Sequence, residues 1–155
     1  MVTVYFLDTS ALIKRYIPEI GTIWIQALTA RSPGHMLFIS RITAVEMMSA
    51  IARRQRESRL TTDQAKQLRL AFHQHFTSQY QIVEITPNII TLAGTLCDRQ
   101  ALRAYDAVQL ASAKSLLAVI GQLPDTNLTF LTADDRLLKA AQSETLIAIN
   151  PNHHP

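Results

Sequence analysis

A chain of 155 residues with 48% hydrophobic content is the size of one ordinary domain and carries enough apolar side chains for a real core. Its longest uncharged apolar stretches, such as SLLAVIGQL, fall far short of the roughly 20 residues a bilayer span needs, and no charged n-region with an h-region and cleavage site is visible, so a soluble, cytoplasmic protein without membrane contact is expected. The net charge of +3 favours no particular partner, and the single cysteine, Cys97, excludes an internal disulfide or a zinc site built on paired thiolates and reads as a small buried hydrophobe.

Short apolar runs alternate with longer amphipathic ones, without internal repeats or low-complexity segments. In chain order the pattern predicts a strand over 2–7, helices over 9–16 and 19–31, a strand over 36–40, and helices over 42–58 and 61–78. A strand over 80–85, helices over 87–101 and 104–121, a strand over 128–132, a helix over 134–142 and a strand over 145–149 follow. The stretches SPGH, ITP and LPDTN break the pattern between elements. Residues 1–150 read as a single domain and 151–155, PNHHP, as a disordered tail. Several strands are continuous apolar runs, as expected where helices cover both faces of a parallel sheet. The class is α/β, doubly wound around about five strands.

In such sheets the loops beyond the strand carboxyl ends form the ligand crevice. Asp8 lies immediately after the first strand, Glu46 one to two turns into the helix after the second, and Asp134 just after LTFLT. Asp106, in LRAYDAVQLASA, opens an apolar helix. Each has an ordinary structural role available: Asp8 and Asp134 as helix N-caps, Asp106 as a first-turn acid, Glu46 as a solvated helix position beside Thr43, Ser49 and Ala50. Their common expected location argues for more. Two carboxylates about 6 Å apart repel by roughly 3 kcal/mol at an effective dielectric of about 20, which protons or a divalent cation would relieve. Oxygen donors point to Mg2+, with Mn2+ as a substitute, rather than to zinc or copper. The histidines offer no alternative: His73 and His75 fall on different sides of a helix, and His153 and His154 lie in the tail.

The segments FLDTSAL, ISRITAVEMMSAI, AYDAVQLASA and FLTADDRLLKAA resemble, in order and spacing, the four acidic motifs of PIN-domain ribonucleases. The likeness runs from about Val2 to Ile149 and is strongest to the small VapC-type toxins of bacterial toxin–antitoxin pairs. The resemblance implies metal binding and catalysis by Asp8, Glu46, Asp106 and Asp134, with the Thr132 hydroxyl as an orienting group. It further implies strand order 3-2-1-4-5, homodimerisation, and inhibition by an antitoxin whose C-terminal segment crosses the active-site groove. Asp135, adjacent to Asp134, departs from the pattern and reads as a first-turn helix acid.

The resulting expectation is a Mg2+-dependent endoribonuclease toxin, in which a metal-activated water attacks phosphorus in line. With the four site acids offset, the remaining charge is 15 − 8 = +7, which suits an RNA substrate. Arg53, Arg54, Arg56 and Arg59, in RRQRESR, are the candidate phosphate contacts, with a solvated helix end as the alternative. Tyr5, Trp24 and Phe38 read as core, while Tyr16 and Tyr105 flank site motifs. Two other readings are a PIN- or flap-type nuclease of RNA processing or DNA repair without an antitoxin, and a non-enzymatic acidic-pocket regulatory domain. The second would need a Lys after a later strand, which LTADDR does not supply.

Overall fold

The computed structural model describes residues 2–30 and 35–155. Five strands, β1 (Val2–Leu7), β2 (His35–Ser40), β3 (Gln81–Val83), β4 (Thr126–Leu131) and β5 (Ile147–Ile149), form one sheet in the order β3-β2-β1-β4-β5 with every pairing parallel. Seven α-helices are described: α1 (Thr9–Leu12), α2 (Thr22–Thr29), α3 (Thr43–Arg56), α4 (Thr62–Ser78), α5 (Pro87–Arg99), α6 (Ala104–Ile120) and α7 (Asp135–Ser143). The α/β class and the expected strand order are those observed.

The two central strands show why the fold closes. Side chains alternate across a strand, so Phe6 and Phe130 enter one core with α5, α6 and α7, while Leu7 and Leu131 enter the other with α1, α2 and α3. The Phe6 and Phe130 rings, opposite in register, stack at 5.7 Å. Each is fully buried, a contribution of roughly 2–3 kcal/mol per ring. Helix α5 starts at the ITP break, with Thr86 accepting from the Ile89 amide and Pro87 in its first turn.

The element ends differ from the sequence pattern in informative ways. The helix expected over 9–16 is α1 followed by a 3-10 turn at Ile13–Arg15, and the strands near 80–85 and 145–149 shrink to three residues each at the two sheet edges. The expected helix over 19–31 is α2, and its last residue, with most of the SPGH break, lies outside the described residues. Cys97 is exposed, because the buried stripe of α5 runs through Ile89, Ala93 and Leu96 and leaves it on the outer side. Residues 151–155 depart most from expectation. Pro151–His153 form a 3-10 turn capped by the Asn150 side chain, Pro151 is buried, and the His154 ring stacks on Trp24 at 4.4 Å. Gly21 makes room for this turn: its φ of +85° suits glycine, and a Cβ there would come within 2.4 Å of the Pro151 carbonyl oxygen.

Candidate active site

The strand order places a topological switch between β1 and β4, since the chain moves outward from β1 through β2 to β3 and returns to the other side of β1. At that point lies a cleft of about 670 Å3. Asp8, Glu46, Asp106 and Asp134 all line it. The four candidate acids are therefore brought to one cavity from the ends of β1 and β4 and from the first turns of α3 and α6.

Asp8 is only 4% exposed and fully engaged. It caps α1 by accepting from the Ala11 amide at 2.9 Å, and its two oxygens also receive the Ser10 hydroxyl, at 2.7 and 2.9 Å, and the Thr132 hydroxyl at 2.6 Å. Burial pushes its pKa up to about 7, against the lowering effect of Thr132, Ala11 and Ser10, while the Glu46 charge pushes the same way as burial. A cap needs no such burial. Thr132 in turn accepts from the Asp134 amide at 3.1 Å, so the expected orienting hydroxyl touches the backbone of one candidate acid and the side chain of another.

Glu46 sits in the first turn of α3 rather than deeper in the helix. Its Oε1 accepts from Gln109 at 2.7 Å and from Thr9 at 3.1 Å, and Oε2 has no hydrogen-bond donor among the described residues. Burial raises its pKa, opposed by those two donors and assisted by the Asp106 charge. Thr43, expected to be peripheral, is fully buried beside it. Asp106 is also raised, by burial and then by the charge of Asp134, with Arg103 and Arg136 acting in the opposite direction. Asp134 caps α7 through Oδ1, accepting from the Arg136 and Leu137 amides at 2.8 and 3.1 Å. Electrostatic coupling thus runs from Asp8 to Glu46 to Asp106 to Asp134.

This donor set fits a hard cation. Among the described residues no three His, Cys, Asp or Glu side chains stand together as a ready-made cage. Mg2+ does not require one, because it binds through one or two carboxylates and keeps several waters. Glu46 Oε2, Asp134 Oδ2 and the Asp106 carboxylate are the oxygens free of hydrogen-bond donors among the described residues, and burial first, then the neighbouring acids, raises the pKa values of Glu46 and Asp106.

Asp135 does not line the cleft. It is the first residue of α7, as expected of a first-turn acid, and accepts from the Asn150 amide at 2.8 Å, which ties α7 to the C-terminal turn. Of the four arginines, Arg53 and Arg54 line the cleft, whereas Arg56 and Arg59 do not. Arg54 is committed elsewhere: its side chain is 11% exposed and pairs with Glu19 at 2.6 Å, and Glu19 also holds the buried Lys14 at 3.1 Å. Arg59 pairs with Glu57. Tyr105 is exposed on the cleft wall, while Tyr16 belongs to a half-buried hydrogen-bonded group with His75 and the buried Tyr80. Sequence reading missed Ser10, Gln109, Arg103 and Asn152, all of which line the cavity. Of these only Ser10, two residues from Asp8, carried a local signal, the short polar DTS run after a strand.

The sequence profile of the PIN domain matches residues 5–142. Solved structures share the fold over nearly the whole chain. FitAcB from Neisseria gonorrhoeae is 17% identical, with 96% of this chain and 99% of that chain covered at a TM-score of 0.61. VapBC2 from Rickettsia felis, bound to a DNA fragment from their promoter, is 16% identical, with 95% and 98% covered at 0.60. A toxin–antitoxin complex from Klebsiella pneumoniae is 21% identical, with 95% and 97% covered at 0.60. No curated protein sequence matches the chain.

Proposed function

The chain belongs to the PIN-domain family, a family of nucleases, and we propose on that footing that it is a Mg2+- or Mn2+-dependent endoribonuclease, the toxin of a type II toxin–antitoxin pair. The observation that carries this reading is Asp8: a buried carboxylate at the switch point, pushed up to about pKa 7, coupled through its neighbours to three other acids on one cleft. Asp8, Glu46, Asp106 and Asp134 would hold the cation between them, one or two by direct contact and the others through its waters. Bound there, the cation would supply charge stabilisation at the phosphoryl oxygens and a water of lowered pKa.

The chain's own residues do the rest. Thr132 and Ser10 hold Asp8 in one orientation by three hydroxyl contacts, so its charge is fixed in place before any ligand arrives. Glu46, whose Oε2 lacks a donor among the described residues, would accept the proton of the attacking water. Arg53 and Arg103, which line the same cleft as the acids, would draw the flanking phosphates towards a site that is otherwise negative.

An antitoxin partner is supported by the toxin–antitoxin complex among the solved structures that share the fold, and Val45, on the cleft wall, is more than half exposed. Among the described residues no helix is long and apolar enough to cross a membrane. We expect the purified chain to cleave RNA in Mg2+ or Mn2+, to stop in EDTA, and to leave 5′-phosphate and 3′-hydroxyl ends. Replacing Asp8, Glu46, Asp106 or Asp134 by its amide should cost at least about a hundredfold in rate. Metal-independent cleavage, or 2′,3′-cyclic phosphate ends, would overturn the reading. Growth arrest on expression, relieved by a small protein encoded beside it, would separate the toxin from a processing nuclease.

A further inference from the structure

Gln109 is the only amide side chain in a run of α6, Ala107–Ala113, in which every residue is buried. It is 2% exposed. A primary amide is a poor choice for such a place unless its donors are used, and here they are. Nε2 lies 2.7 Å from Glu46 Oε1, 3.0 Å from Thr43 Oγ1 and 3.2 Å from Thr9 Oγ1. Two protons serve three acceptors, and the shortest contact is to the carboxylate, as charge-assisted hydrogen bonds are. Thr9 passes the interaction on, donating its own hydroxyl to the same Glu46 oxygen at 3.1 Å.

The partners matter more than their number. Thr9 follows Asp8 at the end of β1, Thr43 and Glu46 share the first turn of α3, and Gln109 lies three residues after Asp106, on the same side of α6. One amide therefore joins the three segments that carry three of the four cleft acids. The other atom of the amide shows what selects it: Gln109 Oε1 is buried with no hydrogen-bond partner among the described residues. Packing alone would be served better by an apolar side chain without that orphan oxygen. Turning the amide over would set a carbonyl oxygen against the Glu46 carboxylate.

We propose that Gln109 is a positioning residue of the cleft, which holds Glu46 by Oε1, leaves Oε2 for a ligand, and sets its spacing from Asp8 and Asp106. The use of that spacing for a cation rests on the nuclease reading; the geometry itself does not.

The test is a pair exchange in the full chain, read by urea unfolding in EDTA. Gln109→Glu keeps the shape but removes the donors and faces Glu46 with a second carboxylate, so its folding constant should fall at least about tenfold. Adding Glu46→Gln restores a donor and an acceptor in reversed order and should recover most of that loss. A Gln109→Glu variant as stable as wild type, or one that Glu46→Gln does not rescue, would overturn the proposal. Gln109→Met, which suits the apolar surroundings and should fold, supplies the second readout: the Mg2+ concentration giving half the rise in melting temperature should increase about tenfold. An unchanged midpoint would overturn the link between Gln109 and the cation site. Absence of any Mg2+ shift in the wild type would count against the cation reading alone, since the pair exchange is measured without metal.

Discussion

Thr132 Oγ1 donates to Asp8 Oδ2 at 2.6 Å, joining the ends of β4 and β1 across 124 positions of chain. This hydrogen bond stabilises the charged form of Asp8 and is the largest influence opposing its burial. Thr132→Val keeps the shape and removes it, so the Asp8 pKa should rise further above about 7. The pH at which Mg2+ raises the melting temperature by half its maximum should move up by about one unit, and Thr132→Ser should restore it. A profile that does not move would leave Thr132 a packing residue.

The arginines of RRQRESR separate into two classes by position. Arg53 opens on the cleft with Arg103, while Arg56 and Arg59 face elsewhere. In a catalytically inactive background, Arg53→Ala should weaken RNA binding and lower the slope of log K against log salt by roughly 1, whereas the combined Arg56→Ala and Arg59→Ala change should leave the slope alone. Arg54→Ala should behave differently from both, because it strands Glu19 with Lys14 in a largely buried site and so costs stability, on the order of 1–3 kcal/mol. Urea unfolding distinguishes that loss from a loss of RNA affinity.

The placement of the acids was legible because each stands at an element boundary, where a strand's end or a helix's first turn can be seen in the local pattern. Strand order came from the resemblance to PIN domains, since periodicity does not say which strands are neighbours. What remained hidden depends on partners distant in the chain. Arg54 looks like a solvated helix end until Glu19, 35 positions away, is beside it. Gln109 looks like an edge residue of an apolar helix, because nothing near it reveals Thr9 and Glu46. The tail was misread for the same reason: PNHHP has the composition of a loose end, and only the Asn150 cap, the space left by Gly21 and the face of Trp24 hold it.

That docking can be broken at one atom. Gly21→Ala introduces both a strained φ and a Cβ that meets the Pro151 carbonyl oxygen, which is backbone and cannot turn aside. The variant should lose roughly 1–3 kcal/mol, and the C-terminal turn should become open to carboxypeptidase. Equal resistance of both proteins to digestion would mean the turn is held by His154 and Asn150 without Gly21.

Asp134 and Asp135, adjacent in sequence, should respond oppositely to substitution. Asp135→Ala removes the acceptor of Asn150 and should lower the melting temperature by a few degrees while preserving the Mg2+ shift. Asp134→Asn keeps a capping oxygen for the Arg136 and Leu137 amides, so the fold should tolerate it, and the Mg2+ shift should shrink. Equal Mg2+ responses in the two variants would show that the cleft does not distinguish them.

Asp8→Asn turns the question of cap against ligand into a measurement with a definite sign. Asparagine caps about as well as aspartate, so a mere cap should be indifferent to the change at every pH. Asp8, however, has a pKa of about 7 in the fold against 3.8 as its ordinary value. The folded protein therefore holds a proton that the unfolded chain releases between those values, and stability without metal is greatest below about pH 4 and falls as pH rises towards 7. Glu46 and Asp106, also raised, add to the decline in the same direction. A rise of about three units corresponds to roughly 4 kcal/mol, so at pH 8 in EDTA the Asn variant should melt on the order of 10 °C above the wild type, and near pH 4 the two should nearly coincide. Millimolar Mg2+ at pH 8 should raise the wild type and leave the variant almost unmoved, because ligand-linked stabilisation follows affinity for the folded state. A variant that melts below the wild type at pH 8 in EDTA and keeps the full Mg2+ shift would return Asp8 to the role of a helix cap.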